Sequence, residues 1–501
     1  MSSNVFSYDA VPYPSRTYLQ THPARLAAMA ALMGLKASPV ECCRVLEIGT
    51  GDGLNIAALA YALPGSEFCG IDLSETAISR GKTWIEELGL TNISLRCADI
   101  GTVNPAELGK FDYVIAHGVF SWVPEPVREQ MLALTRDVLT ENGVAYVSYN
   151  AYPGCHIREM SRRMMRYHVQ RFESPMDRIA QGRSLLYLLV NAPDKRVEKE
   201  KDAYRLMLEE ELEHSVEYDQ AAFYHDDLSE LNTPYYFHEF MAMAEKYGLQ
   251  FLAEAQVRDM YPDGYAPAVM ELLDQMGEKN FLEREQYMDF LKGRRFRQTL
   301  LCRAEVVLDR EISIDDIRGL RVDAEIKPGI PDGPEESLRF DGPKGSALTA
   351  SRPSLKRALG YLAEAWPHGV SYEDLAEIVR EESDFDEAVF GDFLIRAAKG
   401  GIVEFRTVEP KFVAVAGERP QVSAFARWQI GWSNTATTLR HSRIRLDEAP
   451  TRELVRLMDG TRTREELAAA LGGALENDTT ITGENIDAAA AYFCRVGLMV
   501  A

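Results

Sequence analysis

The fold is decided by residues 45–53, VLEIGTGDG, in which a short apolar run meets three alternating glycines. The apolar run predicts a buried strand, and the NIAALAYAL that follows has the spacing of a helix. Glycine tolerates positive φ and leaves space beside the main chain, so such a turn lets a nucleotide-like ligand approach the backbone. We therefore predict a strand, a ligand-binding turn and a helix in this order.

The same alternation of strands and helices continues downstream. Further strands are predicted at SEFCGIDL, NISLRCADI, FDYVIAHGVF and GVAYVSYN, with helices between them. This βαβ rhythm predicts a parallel sheet with helices on both faces and ligands at the carboxyl ends of the strands. After a helical stretch, LQFLAEA and RQTLLCRA are expected to complete the same sheet.

At 501 residues the chain is too long for one ordinary core, so we expect two to four domains. A Pro/Gly/Ser-rich stretch predicts a linker, and the helical patterns after it, followed by GIVEFRTVEPKFVAV as a β-hairpin, have a winged-helix order that the chain end partly repeats. The predicted divisions are a helical N-terminal cover, a ligand-binding core, a helical insertion, a linker and two winged-helix-like domains: 1–43, 44–155, 156–305, 306–349, 350–416 and 417–501.

The composition limits the function classes. A formal net charge of −22 disfavours nucleic acid as a partner. Seven cysteines without a C-x-x-C pair are expected to be reduced thiols in a cytoplasmic protein, and no metal site is predicted. The N-terminal residues lack the pattern of a signal peptide, and no apolar run is long enough to predict membrane insertion.

The glycine spacing and three acidic residues indicate which ligand the turn holds. A dinucleotide fingerprint needs a third glycine where Leu54 stands, whereas the form here is E-x-G-x-G-x-G with Glu47 in front. Asp72 and Asp99 end the next two predicted strands, where carboxylates can accept from ribose hydroxyls and from an adenine amino group. This pattern resembles motif I of class I S-adenosylmethionine (SAM) methyltransferases. The predicted cofactor contacts are Glu47, Gly49, Thr50, Gly51, Asp72, Leu73, Asp99, Ile100, His117 and Gly118.

Several longer stretches resemble one family more specifically. FDYVIAHGVFSWVP, SYNAYPGCHIREMSRRMMRYH, YHDDLSELNTPYYFHEF and RRFRQTLLCR are similar to bacterial class I methyltransferases with a methyltransferase regulatory domain, whose known relatives include the lysine methyltransferases of rickettsial outer-membrane protein B. The resemblance covers about residues 13 to 303, and residues 350 to 501 are similar to a winged-helix region of part of the family. It implies a seven-stranded Rossmann-like sheet, SAM as cofactor and methylation of protein lysines. Cys155 departs from the Tyr-Pro-Gly-Trp form of the family.

The methyl acceptor is expected near segments at the carboxyl ends of the strands. We predict His117, Tyr149 and Trp122 as catalytic candidates, although packing and local hydrogen bonding explain such residues equally well. Predicted substrate contacts are Tyr13, His22, Phe120, Trp122, Asn150 and Tyr152. Because neither an N/D-P-P-Y/F turn nor a clustered Asp/Asp/Asn set is present, nucleic-acid bases and metal-assisted catechol chemistry are less well supported.

A basic helix contrasts with the acidic surface. Its arginines either pair with the acids of residues 198 to 213 or form a clamp for an acidic substrate segment. They are Arg158, Arg162, Arg163, Arg166 and Arg171.

The C-terminal tail leaves alternatives open. Residues 351–501 contain 18 Lys/Arg and 23 Asp/Glu, which disfavours DNA binding and favours a protein-docking module or a homodimer contact. A methyltransferase of small molecules or peptide natural products, and a SAM-responsive regulator, are the alternatives to a protein methyltransferase.

Overall fold

The computed structural model describes residues 11–192, 203–262, 264–329, 337–474 and 482–501. Within them, seven strands form one mixed sheet in the order β3-β2-β1-β4-β5-β7-β6. These strands are β1 Arg44–Ile48, β2 Glu67–Asp72, β3 Ile93–Cys97, β4 Phe111–Ala116, β5 Leu139–Asn150, β6 Leu249–Glu254 and β7 Phe296–Arg303. The five N-terminal strands are parallel and β7 is antiparallel to both neighbours, so the predicted completion of the sheet is confirmed.

The chain order reverses beside β1, since β2 lies on one side of it and β4 on the other. Such a point opens a crevice at the carboxyl ends of the strands, directly behind Ile48. The helices of this part of the chain are α1 Pro23–Ala31, α2 Leu54–Ala62, α3 Glu75–Leu88, α4 Pro105–Leu108 and α5 Glu125–Val138. Helix α3 begins where the Ser74 hydroxyl accepts from the Ala77 amide and ends at Gly89 with φ 65°.

The insertion between β5 and β7 is helical, as the sequence predicts. Its helices are α6 Cys155–Val169, α7 Pro175–Asn191, α8 Ala203–Glu217, α9 Gln220–Asp227, α10 Phe237–Lys246, α11 Pro267–Lys279 and α12 Phe281–Lys292. The N-terminal end of the charged helix predicted from residue 195 lies outside the described residues. Arg297 on β7 is fully buried and pairs with Glu285 and Asp289 of α12, which ties the insertion to the sheet.

The segment 306–349 is more ordered than the predicted linker. Helix α13 Ile314–Arg318 and the strands β8 Arg321–Asp323, β9 Lys327–Pro328, β10 Leu338–Asp341 and β11 Ala347–Ala350 lie in it. The helices α14 Pro353–Ala365, α15 Tyr372–Val379 and α16 Glu387–Lys399 follow, with β12 Val370–Ser371 and β13 Glu404–Arg406. The hairpin predicted for residues 401–415 is wrong, because β13 pairs with β8. The partner strand β8 thus precedes the three helices in the sequence, so no local sequence pattern reveals the pairing. The stretch 330–336 within the predicted linker lies outside the described residues.

The chain ends in a second module made of the hairpin β14 Thr435–Thr437 and β15 Arg443–Arg445 with helices α17 Ala424–Gln429, α18 Ala449–Leu457, α19 Arg464–Ala474 and α20 Gly483–Arg495. It packs on the cofactor-side helices of the core. Trp432 stacks on Trp84 of α3 with ring centroids 4.7 Å apart, and the Trp428 indole N–H donates to Glu87 at 2.8 Å. The module is therefore attached to the sheet domain by aromatic packing.

Candidate functional site

The glycine turn after β1 has the geometry that a ligand-binding loop needs. Gly49 has φ 71°, and a Cβ there would collide with Val119. Gly51 has φ 58°, and a Cβ there would meet open space as far as the described residues extend. The Gly51 amide donates to Oδ2 of Asp72 at 2.8 Å, which joins the ends of β1 and β2. The loop backbone is thus held in place while one side of it stays accessible.

Glu47 faces into the protein behind this loop. Its two carboxylate oxygens accept from the Thr50 hydroxyl and from the Asn55 amide, both at 2.6 Å. Burial raises the pKa of Glu47 to about 7, and the hydrogen bonds from Thr50 and Asn55 oppose that shift. Because both oxygens are engaged, Glu47 positions the loop from below.

Two acidic residues and two apolar ones line the crevice beyond the loop. Asp72 also accepts from the Ser74 amide at 2.9 Å, and burial raises its pKa. Leu73 beside it is 53% exposed, which is unusual for a leucine at the end of a buried strand. Asp99 is exposed two residues after β3, next to the half-buried Ile100.

This arrangement fits an adenosyl ligand. Carboxylates at neighbouring strand ends can accept from ribose and adenine donors, an exposed Leu73 offers apolar surface to a ring, and the bare face of Gly51 allows close approach. The individual contacts of these residues with SAM remain predictions.

An N-terminal strap, residues 13–18, lies across the crevice. The Ser15 hydroxyl donates to Asp52, and the Tyr18 amide donates to Oδ1 of Asn55 at 2.9 Å. At the other end of the strap, the Tyr13 hydroxyl donates to Oδ2 of Asp226 at 3.2 Å. The strap thus connects the cofactor loop with helix α9 of the insertion.

His117 follows β4 and lies in an aromatic pocket. Its ring centroid is 3.8 Å from that of Tyr18, 5.8 Å from that of Tyr146 and 6.2 Å from that of Phe296. Burial lowers the pKa of His117 to about 3, so the ring is neutral at physiological pH. We call the set Tyr18, His117, Tyr146 and Phe296 the acceptor pocket, and its contact with a methyl acceptor stays a prediction.

Two hydroxyl groups lie within hydrogen-bond distance of Nδ1 of His117. Its Nδ1 lies 3.0 Å from the Tyr146 hydroxyl and 3.2 Å from the Ser148 hydroxyl. Ser148 already accepts from the Gly118 amide at 2.8 Å, so its own proton can point to Nδ1. We assign Nδ1 as the acceptor and Nε2 as the protonated nitrogen. In this assignment His117 presents an N–H at Nε2, and a catalytic role for it stays a prediction.

The predictions for Tyr149 and Phe120 are wrong. Both side chains are buried and pack on Phe240 of α10, with centroid distances of 4.1 and 5.1 Å. Side chains alternate along a strand, so Tyr146 and Ser148 face His117 while Tyr149 faces the opposite side. The tyrosine beside His117 is Tyr146, which is itself fully buried and differs from Tyr149 in the side of the sheet that it faces.

The prediction for His22 as a substrate contact is also wrong. Its Nδ1 accepts from the Ala24 amide at 3.1 Å, which makes it the N-cap of α1. The side chain is 3% exposed and packs edge-on against His441 of the C-terminal module. His22 therefore stabilises a contact between domains.

The remaining predicted acceptor residues lie along the insertion. Trp122 is half-buried, and the Arg162 guanidinium lies 5.5 Å from the centroid of the Trp122 ring. Asn150 is buried and donates from its amide to Asn232 at 2.8 Å. Tyr152 stacks on His156 with centroids 3.9 Å apart. These contacts hold the insertion against the end of β5, and a substrate role for the three stays a prediction.

The basic helix α6 is partly neutralised, and two of its arginines pair with acids outside residues 203–213, the described part of the predicted partner range. Arg158 pairs with the buried Asp227 of α9 at 2.9 Å, and Arg163 pairs with Glu159 of its own helix at 3.0 Å. Arg162 is 3% exposed and donates to the Ser229 carbonyl. A surface clamp that uses Arg162 is therefore disfavoured.

Asp226 is a functional candidate that the sequence patterns do not single out. Burial raises its pKa to about 6, against the opposing charge of Arg158. Through Tyr13 it is joined to the strap whose other end covers His117. In the sequence it stands as one of two adjacent aspartates, which has no motif value by itself.

Three protein families match parts of the chain. Residues 45–143 match a methyltransferase domain, residues 219–303 a predicted methyltransferase regulatory domain, and residues 418–490 the C-terminal winged-helix domain of PKMT.

Similar proteins cover larger parts of the chain. An uncharacterized protein of Rickettsia prowazekii is 36% identical over 376 residues, which span 74% of this chain and 67% of the relative. A second protein of that organism is 35% identical over 244 residues, 49% of this chain and 96% of the relative. The solved structure of PKMT2 from Rickettsia typhi in complex with AdoHcy is 26% identical, with a TM-score of 0.86 over 98% of this chain and 100% of that one.

AdoHcy is SAM after loss of its methyl group, and the matched structure carries it on the same fold. SAM is therefore the cofactor of this chain, as the glycine turn and the three acids predict. The chain belongs to the same family as these rickettsial proteins, and it is a class I SAM-dependent methyltransferase.

Proposed function

We propose that this enzyme methylates lysine side chains of proteins. The observation that carries the proposal is the likeness to PKMT2, which extends over 98% of this chain and includes the C-terminal modules. The match of residues 418–490 to a winged-helix domain named for PKMT adds support. A C-terminal region of this size also suits a macromolecular acceptor better than a small one.

The acceptor pocket has the chemistry that a lysine amine needs. SAM carries its transferable methyl group on a sulfonium. The acceptor amine attacks this methyl group in an in-line displacement, for which its nitrogen has to be neutral. A lysine with an ordinary pKa near 10.4 has to lose its proton first, and desolvation lowers the pKa of an amine. Tyr18 and Phe296 provide aromatic surface beside the uncharged His117, with the buried Tyr146 behind it, and such surface desolvates an amine and tolerates a methylammonium.

Asp226 is the group that we propose receives the amine proton. Its raised pKa, about 6, makes it a stronger base than an ordinary aspartate. In its charged form it also attracts the ammonium of an arriving lysine. Tyr13 donates to this carboxylate and fixes its orientation.

Labelling with tritiated SAM tests the proposal. The purified enzyme is incubated with a bacterial lysate, and the labelled protein is hydrolysed for amino-acid analysis. We expect the label in methyllysine, and an Asp72→Ala variant serves as the control without cofactor binding. Label confined to small molecules would favour the alternative of a small-molecule or peptide acceptor.

Two further predictions concern a partner and the location of the protein. A homodimer through the C-terminal region and a cytoplasmic location remain predictions. Among the helices that the structure describes, none is long and apolar enough to cross a bilayer. Filter binding of the full chain to duplex DNA at low salt tests the regulator alternative, and micromolar affinity would support it.

A further inference from the structure

The hairpin β14–β15 of the C-terminal module reaches the N-terminal strap and the first turn of α2, next to the cofactor loop. Its turn is closed by hydrogen bonds between Thr438 and Ser442. The side chain of Thr437 lies 3.4 Å from that of Thr17 in the strap. His441 in the turn has φ 65°, a conformation that a residue with a Cβ seldom adopts.

The His441 side chain enters a buried hydrogen-bond chain. Its Nε2 lies 2.8 Å from Oδ1 of Asn55, and Asn55 donates from its amide nitrogen to Glu47 at 2.6 Å. Glu47 in turn accepts from the Thr50 hydroxyl at 2.6 Å. These hydrogen bonds thus connect the C-terminal module, through the first turn of α2, with the glycine loop.

The proton positions along this chain follow from its fixed members. The Tyr18 amide donates to Oδ1 of Asn55, so that atom is an oxygen and His441 has to donate to it from Nε2. Burial lowers the pKa of His441 to about 3, so the ring is neutral and carries one proton. The amide nitrogen Nδ2 then donates its two protons to Glu47 and to the Thr21 hydroxyl. The Asn55 amide has one orientation that satisfies all four partners.

We propose that the C-terminal module is part of the cofactor site, with His441 as a positioning residue that sets Thr50 in the SAM loop through Asn55 and Glu47. The strained backbone of His441 is consistent with such a role, because the fold holds it in an unfavourable conformation. Loss of the imidazole leaves Oδ1 of Asn55 with one donor fewer and leaves space beside it, so the amide is held less firmly by its remaining partners. The loop is then less well ordered before SAM binds, and affinity falls.

The test uses the full chain and does not depend on the identity of the methyl acceptor. His441→Gly removes the imidazole and suits the positive φ. The matched control is Trp428→Phe, which removes the hydrogen bond to Glu87 between the same two domains, away from the loop. We expect the Kd of SAM, measured by calorimetry, to rise about tenfold in His441→Gly and to stay unchanged in Trp428→Phe.

Steady-state kinetics separate positioning from general stability. For His441→Gly we expect a raised KM for SAM with kcat and the acceptor KM unchanged, once a methyl acceptor is in hand. An unchanged Kd, or an equal rise in both variants, would overturn the proposal. If His441→Gly does not fold, His441→Asn tests the same point, because asparagine tolerates positive φ and is too short to reach Asn55.

Discussion

The buried carboxylate of Glu47 makes the stability of the apo enzyme depend on pH. Its pKa of about 7 in the folded protein compares with an ordinary value of 4.5, because burial penalises the charged form. Between these values the folded state binds more protons than the unfolded state, so the free energy of unfolding falls as pH rises. The contribution is fully present below pH 4.5 and is lost as pH passes 7.

The magnitude follows from the two pKa values. The difference between about 7 and 4.5 corresponds to a loss of about 3 kcal/mol at pH 8. Glu47→Gln removes the titration and keeps the shape, since its carbonyl can accept from Asn55 and its amide can donate to Thr50. We therefore expect the variant to be more stable than the wild type by about 3 kcal/mol at pH 8 and nearly equal to it at pH 4.5.

Chemical denaturation of the apo enzyme at both pH values measures this difference. The control is Glu141→Gln, which removes an exposed glutamate of β5 and should change stability equally at the two pH values. A Glu47→Gln variant that is less stable than the wild type at pH 8 would refute the reasoning. It would mean that Thr50 and Asn55 hold the carboxylate charged throughout.

Three further predictions concern the cofactor, the acceptor and the attachment of the C-terminal module. Asp72→Ala should abolish SAM binding in calorimetry with the far-UV circular dichroism unchanged, and retained affinity would contradict the placement of the ribose. Asp226→Asn should lower kcat on a protein acceptor about 100-fold without changing the Kd of SAM, and a wild-type pH–rate profile would argue against a base there. Trp84→Ala should destabilise the enzyme by about 2 kcal/mol through loss of the stack on Trp432, and an unchanged thermal midpoint would show that this stack adds nothing.

The cofactor half of the site could be predicted because its determinants are local. Gly49 and Gly51 reveal a turn by composition, and Asp72 and Asp99 stand at the ends of apolar runs that any parallel sheet brings to one edge. Periodicity and chain order are sufficient for this placement. The last two strands were also predictable, since LQFLAEA and RQTLLCRA are apolar enough to need a buried position.

The acceptor half was predicted less well because it depends on contacts between distant segments. Tyr149 and Tyr146 both precede the end of β5, and only the side of the sheet distinguishes them. Residues two apart on a strand point to the same side of the sheet. Tyr146 therefore points to the same side as Ser148, and Tyr149 points to the other side. Phe296 reaches His117 only because β7 is antiparallel beside β5, so that its first residue lies at the same edge as the last residues of β5.

Some of the charged residues of the C-terminal tail are buried in the fold, which a count of charges in the sequence does not show. From the sequence alone, all arginines of the tail would count as available to bind phosphates. In the fold, Arg440 pairs with the buried Asp323 at 2.6 Å, and Arg406 pairs with the same carboxylate at 2.6 Å. Buried cations of this kind cannot contact a duplex, and the β14–β15 hairpin faces the core. A winged-helix module whose hairpin turn and Arg440 point into the enzyme is better suited to shaping the enzyme than to reading DNA.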